Sequence, residues 1–408
     1  MKVLWVCDMV LPHLCDELGF KRTVIGGWIN GMLDFIHRNT DIKMGICCPI
    51  KCRERMKDGI INKEQYYSFQ MILEEDINCN QKERFIEIIN DFSPDIIHIW
   101  GTEYLHTYNM LCAAEKTGML RKTIVSIQGL ISSVMKHYYD GIEYDNYGTI
   151  EKMQELNSKE KIRSSYEIKA IKKCINISGR TEWDRVSTMQ INPKVNYWHI
   201  GEILRNVFYE EKGRWTVKQC NSHSIFLSRV YCPIKGLHYF FEAFQYVLKK
   251  FPDAIVKIAG DNIMESDNEY GRYLKRKAIE LKIEKRIIFL GNISAEQMCR
   301  EYASANVFVC ASTVENSSNS ICEAMIVGTP VIGSFVGGIP DLISHKSDGF
   351  LYPCNEPEML SYYIERVFED DALVTEFSRK GVQTISDKVD REKNGNVLID
   401  IYNKMLNM

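Results

Sequence analysis

The sequence predicts an α/β protein built from two doubly wound domains. Short β-branched runs alternate with helix-period segments along the chain, and they fall into two sets separated by a polar, aperiodic stretch around residues 208 to 223. Length agrees: 408 residues exceed what one ordinary hydrophobic core covers.

In the first set, KVLWVC reads as a short buried strand, and GGWINGMLDFI after it as a helix entered through Gly26 and Gly27. KMGICC, DIIHIW and KTIVSI are further strands, with YNMLCAAEKTG among the helices between them. Residues 132 to 173 are polar and helical, with Tyr138, Tyr139, Tyr144 and Tyr147 interleaved, the pattern of an elaboration over the domain's face. The second set is clearer. SIFLS, AIVKIA, RIIFLG, NVFVCA and TPVIGS are five strand-like runs, each followed by a helical period and punctuated by Gly236, Gly260, Gly291, Gly328 and Gly333. The expected division is a first domain over 1–207, a linker over 208–223, a second domain over 224–385, and a terminal helical segment over 386–408 that is able to pack back on the first. Two such sheets joined by one linker leave a cleft at their carboxyl ends, where open α/β sheets bind ligands.

Composition narrows the function. Hydrophobic residues make up 45% and charged ones 26%, which excludes a disordered or fibrous chain. A formal net charge of −3 provides no field for nucleic acid or an anionic membrane. The fourteen cysteines are not placed as metal ligands or disulfide pairs: Cys7, Cys47, Cys48, Cys112, Cys174 and Cys310 lie in or beside apolar runs. There they act as small core hydrophobes, and Cys48 with Cys52 lacks the second ligand pair of a zinc site. Reduced thiols and the lack of a run of spanning length predict a cytoplasmic protein. KVLWVC is not followed by a G-x-G-x-x-G turn, which argues against a dehydrogenase.

The strongest chemical signal is STVENSSNSICEAMIVGTPVIGSFVGGIPDLI. Glu315 follows a strand in a polar loop, and Glu323 falls just inside the next helix. The amides of Asn319, Ser320 and Ile321 at that helix start suit a diphosphate, and carboxylates suit the diols of sugar and ribose. An alternative is purely structural: Ser320 and Glu323 have the spacing of a capping box. Upstream, FLSRVYCPIKGL sets Arg229 and Lys235 after the first strand of the second domain, two cations able to neutralise a leaving diphosphate.

Taken in order, SRVYCPIKG, IAGD, FLGNIS, the Glu315 and Glu323 pair with EAM, GTPVIGS, GGIPDLI and DGFLYP resemble the retaining nucleotide-sugar glycosyltransferases of family 4. Gly26-Gly27, PDIIHIWG and ISGRTEWD extend the resemblance more weakly over the first half. The resemblance implies the GT-B fold of two Rossmann-like domains and a metal-independent transfer of a sugar, with a nucleotide-sugar as co-substrate and no cofactor. It implies that Arg229 and Lys235 bind the donor diphosphate, Glu323 the ribose and Glu315 the transferred sugar. Gly260, Asp261, Asn292 and Ile293 would flank the base, and Gly26 and Gly27 would approach the phosphates. The GGIPD turn would lie beside the site with a minor role. Many members carry a histidine where this chain has Gln128, in SIQGLISS. Glutamine hydrogen-bonds but does not titrate, and the same-face mechanism described for the family uses the leaving phosphate as base. His137 is a candidate on the acceptor side. The implied acceptor is a glycan or lipid-linked glycan, in surface polysaccharide assembly, with UDP as the default nucleotide and peripheral contact with the inner face of the membrane left open. Two alternatives stand beside it: a catalytically silent nucleotide-sugar-binding homologue, and a nucleotide-sugar epimerase on a related scaffold.

Overall fold

The computed structural model describes residues 1–20, 27–50, 58–61, 64–71, 81–143 and 148–408. The chain forms two compact units. One comprises Met1–Met135, Lys159–Ile203 and Asp390–Met408, and the other Lys136–Ser158 and Leu204–Val389.

The first unit is built on β1 (Lys2–Val6), β2 (Lys43–Ile50), β3 (Gly59–Ile61), β4 (Glu64–Gln70), β5 (Ile96–Trp100), β6 (Thr123–Ser126), β7 (Asn176–Gly179) and β8 (Asn196–His199). They lie in the order β3-β4-β2-β1-β5-β6-β7-β8. Every pairing is parallel except β3 on β4. The central strand shows why its sequence is uniformly apolar. Val3 and Trp5 enter one core while Leu4 and Val6 enter the other, so both faces of β1 are covered. The helix Arg391–Leu406 closes one of these cores with Leu398, Ile401, Tyr402 and Met405, packed in the same cluster as Val3 and Trp5.

The second unit holds β9 (Ser224–Ser228), β10 (Ile255–Ala259), β11 (Ile287–Phe289), β12 (Val307–Cys310), β13 (Val331–Ser334) and β14 (Phe350–Tyr352). Their order is β11-β10-β9-β12-β13-β14, all parallel. The helix Leu237–Lys250 buries Phe240, Phe241, Phe244 and Val247, one helical face against the sheet. Phe208 and Trp215 are also buried in this unit, and the Trp215 indole donates to the Ala305 carbonyl at 2.7 Å.

Five strands escape the pattern read from sequence: β3, β4, β7, β8 and β14. β7 (NISG) and β8 (NYWH) are four residues long and half polar, and β4 (EQYYSFQ) replaces aliphatic residues with aromatics. Residues 132 to 173 are not simply an elaboration. Ala170 and Ile171, on the helix Ser158–Lys173, are buried in a core of the first unit, while Ile142, Ile150 and Met153 join the core of the second. Tyr144 and Tyr147 lie outside the described residues. The sequence KRKAIELKIEKR at 275–286 suggests a solvated helix face with Ile279 and Ile283 turned to another side. Ile283 is buried, but Ile279 is on the solvent face at 57% exposure, and the helix Glu269–Glu280 buries Tyr270, Tyr273, Leu274 and Ala278.

Candidate active site

Within the second unit the conspicuous residues gather at the carboxyl ends of β9, β12 and β13. The chain leaves β9 through Arg229, which takes a left-handed φ of 56° while its amide holds the Ala259 carbonyl at 3.2 Å. Its side chain is exposed and has no ion pair among the described residues. A 3₁₀ turn, Pro233–Lys235, follows and ends on Gly236 at φ 66°. A Cβ on Gly236 would lie 1.8 Å from the Ala311 carbonyl oxygen, so only glycine allows this approach to the end of β12. The Thr313 amide donates back to the Ile234 carbonyl at 2.8 Å, fastening the two loops together.

That fastening brings Lys235 to Glu315. Their Nζ and Oε2 atoms are 2.6 Å apart, with both side chains largely buried (19% and 16% exposed). Burial disfavours the Lys235 ammonium, but the Glu315 carboxylate outweighs it and raises the lysine pKa. The Ser312 hydroxyl donates to the same carboxylate oxygen at 3.4 Å. The GGIPD turn clamps the Glu315 backbone: the Gly338 amide donates to its carbonyl at 3.0 Å, and a Cβ on Gly337, at φ 51°, would sit 1.9 Å from that oxygen.

The helix Asn319–Val327 starts beside this pair. Its cap is Ser318, whose Oγ accepts from the Ile321 amide at 3.4 Å. The capping box suggested by Ser320 and Glu323 is therefore not formed. Ser320 accepts a hydrogen bond from Ser228 at the end of β9, at 2.9 Å. Glu323 is buried and faces Arg205, with Nη2 2.8 Å from Oε1, and Tyr302, whose hydroxyl donates to Oε2 at 3.3 Å. The amides of Asn319 and Ser320 make no hydrogen bond among the described residues, and the buried Asn319 Oδ1 has no partner. Two exposed aromatics flank this region in sequence: Tyr231 after Arg229, and Phe335 before the glycine turn, at 66% and 62% exposure.

Gly260 (φ 127°) and Gly291 (φ 67°) bridge at the ends of β10 and β11, and neither would crowd a Cβ. Asn292 donates to both carboxylate oxygens of Asp261, at 3.1 and 3.2 Å, on the surface, and Ile293 is half-buried next to it. His137 is exposed, 2.8 Å from Asp140, and belongs to the second unit, its carbonyl accepting from Thr313 two residues before Glu315.

The remaining candidates lie in the first unit. Gly26 is outside the described residues, and Gly27 opens the helix Gly27–Asn39. Gln128 follows β6, and its carbonyl accepts from Arg180 at 3.4 Å. Its loop is held by the fully buried Glu167, which accepts from Thr102 Oγ1 and from the Ile131 and Ser132 amides at 2.8–3.1 Å. Two further carboxyls were not singled out in the sequence, although each sits just past a central strand. Burial pushes Asp8, after β1, up to about 6 and Glu103, after β5, up to about 8. The sequence also offers no signal for Arg205 and Tyr302, since only folding brings either to Glu323.

Residues 218–384 match the family model described as glycosyl transferases group 1. A putative glycosyltransferase of Bacillus subtilis, YtcC, is 25% identical over 396 residues, covering 92% of this chain and 88% of that one. An uncharacterised glycosyltransferase of Methanocaldococcus jannaschii is 28% identical over 56% of this chain and 57% of its own. Among solved structures, sucrose-phosphate synthase from Thermosynechococcus elongatus superposes with a TM-score of 0.72 at 14% identity, covering 99% of each chain. Anabaena HepE in complex with UDP-glucose gives 0.67 at 15% identity, covering 99% of this chain and 100% of that one. At 14–15% identity the solved structures show the fold alone. The chain is a glycosyltransferase with the GT-B fold, and its residues 218–384 match the glycosyl transferases group 1 family.

Proposed function

We propose that the protein moves a sugar from a nucleotide-sugar, with UDP as the carrier, to a glycan or glycolipid acceptor, retaining the anomeric configuration and using no metal. The observation that carries this reading is the buried Lys235–Glu315 pair beside a helix start with two unpartnered amides and the exposed Arg229. The amides, the helix dipole and the two cations suit a diphosphate, whose leaving charge they would stabilise. Glu315 would orient the transferred sugar, and Glu323, held by Arg205 and Tyr302, the ribose. Gly260, Asp261, Asn292 and Ile293 would border the base. In the transfer, the bond from the anomeric carbon to the phosphate oxygen breaks and the acceptor oxygen bonds to the same face. The acceptor proton passes to the leaving phosphate. Gln128, which cannot titrate, is compatible with that route.

The structure of HepE with UDP-glucose supports a uridine carrier by likeness of fold, and a surface-polysaccharide role follows from the same resemblance as the acceptor class. No helix among the described residues is long and apolar enough to cross a membrane, so contact with a lipid-linked acceptor would be peripheral. The test is a thermal-shift titration with UDP, GDP and ADP, each with and without EDTA. Stabilisation by UDP that survives EDTA is the expected result. A shift that EDTA abolishes removes the metal-independent mechanism, and no shift with any nucleotide removes the donor assignment.

A further inference from the structure

At the carboxyl ends of β5 to β8, the first unit contains a cavity of about 30 Å³, bordered by Trp100, Ser126, Gln128, Ser178, Arg180 and Glu202 among others. Roughly 10–15 Å³ suffices for one water, so the space admits a hydroxymethyl-sized group with the rest of its molecule outside. Strand carboxyl ends are where open α/β sheets take ligands. The two charges on this wall cancel, since Arg180 Nη1 and Glu202 Oε2 are paired and mostly buried.

A chain of hydrogen bonds reaches the wall from the terminal helix. The Trp5 indole donates to Tyr402 Oη at 2.9 Å, Tyr402 Oη is 2.6 Å from His98 Nδ1, His98 Nε2 is 2.6 Å from Ser126 Oγ, and Ser126 Oγ is 2.5 Å from Ser178 Oγ. Every member is at least nine-tenths buried. One hydroxyl proton is left over in either direction, so its place decides between them. If His98 donated from Nδ1, Tyr402 Oη would accept twice and its own proton would be sealed in the core with no acceptor among the described residues, a cost of about 1–3 kcal/mol. In the opposite order the spare proton is that of Ser178, which lines the cavity where a water or ligand oxygen can accept it. Tyr402 therefore donates to Nδ1, His98 donates from Nε2 to Ser126, and Ser126 donates to Ser178. The Ser178 proton ends the chain with no acceptor among the described residues, on the cavity wall. Burial holds His98 neutral, its pKa lowered to about 3, which leaves it one ring proton to place.

We propose that this cavity binds one uncharged oxygen of a sugar, a hydroxyl or hydroxymethyl group, to which Ser178 Oγ donates. Tyr402, on a helix that supplies none of the residues lining the cavity, is a positioning residue acting through His98. The role of that sugar as acceptor rests on the glycosyl-transfer reading above. The preference for an uncharged ligand rests on the cancelled charges, because an extra anion or cation there would be desolvated without a counter-charge.

Two measurements on the full chain test this. Nitrogen-15 NMR of the His98 ring should report the Nε2–H tautomer in the wild type and lose that single tautomer in Tyr402→Phe; an Nδ1–H tautomer in the wild type overturns the proton order. Saturation-transfer NMR should show binding of methyl glucoside or methyl mannoside but not glucuronate. Ser178→Ala should weaken it about three- to tenfold, while UDP still shifts the melting temperature of the variant. Equal binding by Ser178→Ala, equal binding of glucuronate, or no glycoside bound by a wild type that binds UDP refutes the inference and leaves the donor assignment standing. That last outcome means that the cavity holds ordered water. Failure to bind UDP strikes the donor assignment instead.

Discussion

Glu315 and Lys235 are paired at 2.6 Å, yet the proposed roles differ, so their substitutions separate turnover from binding. Glu315→Gln keeps the shape of the loop and frees the lysine. It is expected to remove most transfer activity while leaving UDP affinity nearly unchanged, and an unaltered kcat in a steady-state assay would refute the role. If Lys235 binds the diphosphate as proposed, Lys235→Ala removes a charged hydrogen bond and should weaken UDP by roughly 1.5–3 kcal/mol, measured by calorimetry. Equal affinity in both proteins would refute it. Arg205→Ala leaves the buried Glu323 facing Tyr302 alone, with a charge that has lost its partner. UDP affinity should fall, and Arg205→Lys should restore part of it; a variant binding as the wild type does would show that Arg205 has no part in holding Glu323.

The positions of these side chains are set by short elements, and two glycines show how. At Gly236 and Gly337 an added methyl would meet a backbone carbonyl, which cannot rotate away, at a φ that L-residues avoid. Alanine at either position should lower the melting temperature of the second unit and weaken UDP together. A Gly236→Ala protein that melts and binds like the wild type would show that the turn does not place Lys235. The sequence made much of this legible. SIFLS coincides with β9, the loop bearing Glu315 follows β12, and glycines stand where the chain turns. The family and the fold were legible in the ordered motifs because each joins a strand end to a loop of fixed length. What the sequence hid lies at larger separations. Arg205 and Glu323 are 118 residues apart, and the cap falls on Ser318, two residues before the Ser320 that the spacing suggested. β7 and β8 were hidden for another reason: a four-residue strand has too few positions to show a period.

Over the whole molecule, buried titrating groups give stability a pH profile. His98, His106 and His238 are each lowered by burial to about 3. The unfolded chain binds their protons first, so stability falls as pH drops below 6.5. Glu103 and Asp8 act oppositely. Raised to about 8 and about 6, they are held neutral in the fold, and the stability this gives is full below their unfolded values and lost as pH rises through the folded ones. Between about pH 4.5 and 6 three histidines oppose two carboxyls and stability climbs; above 6.5 only Glu103 remains, and stability declines toward pH 8. Each group contributes at most about 1.4 kcal/mol per pH unit. Thermal melts from pH 4 to 9 should therefore peak near 6.5, and Glu103→Gln should flatten the alkaline side. An unchanged alkaline slope in that variant would mean Glu103 is ionised in the fold.

The terminal helix Arg391–Leu406 has a consequence for how the protein is made. It belongs to the first unit although it is synthesised after the whole second unit, and it supplies Leu398, Ile401, Tyr402 and Met405 to a core begun by Val3 and Trp5. The ribosome therefore finishes the entire second unit before the first can close, and Val3 and Trp5 wait meanwhile with part of their apolar face uncovered. A premature stop after Val389 would spare every donor-site candidate in the second unit, yet it would injure the amino-terminal unit, the one whose own long segments had all been translated.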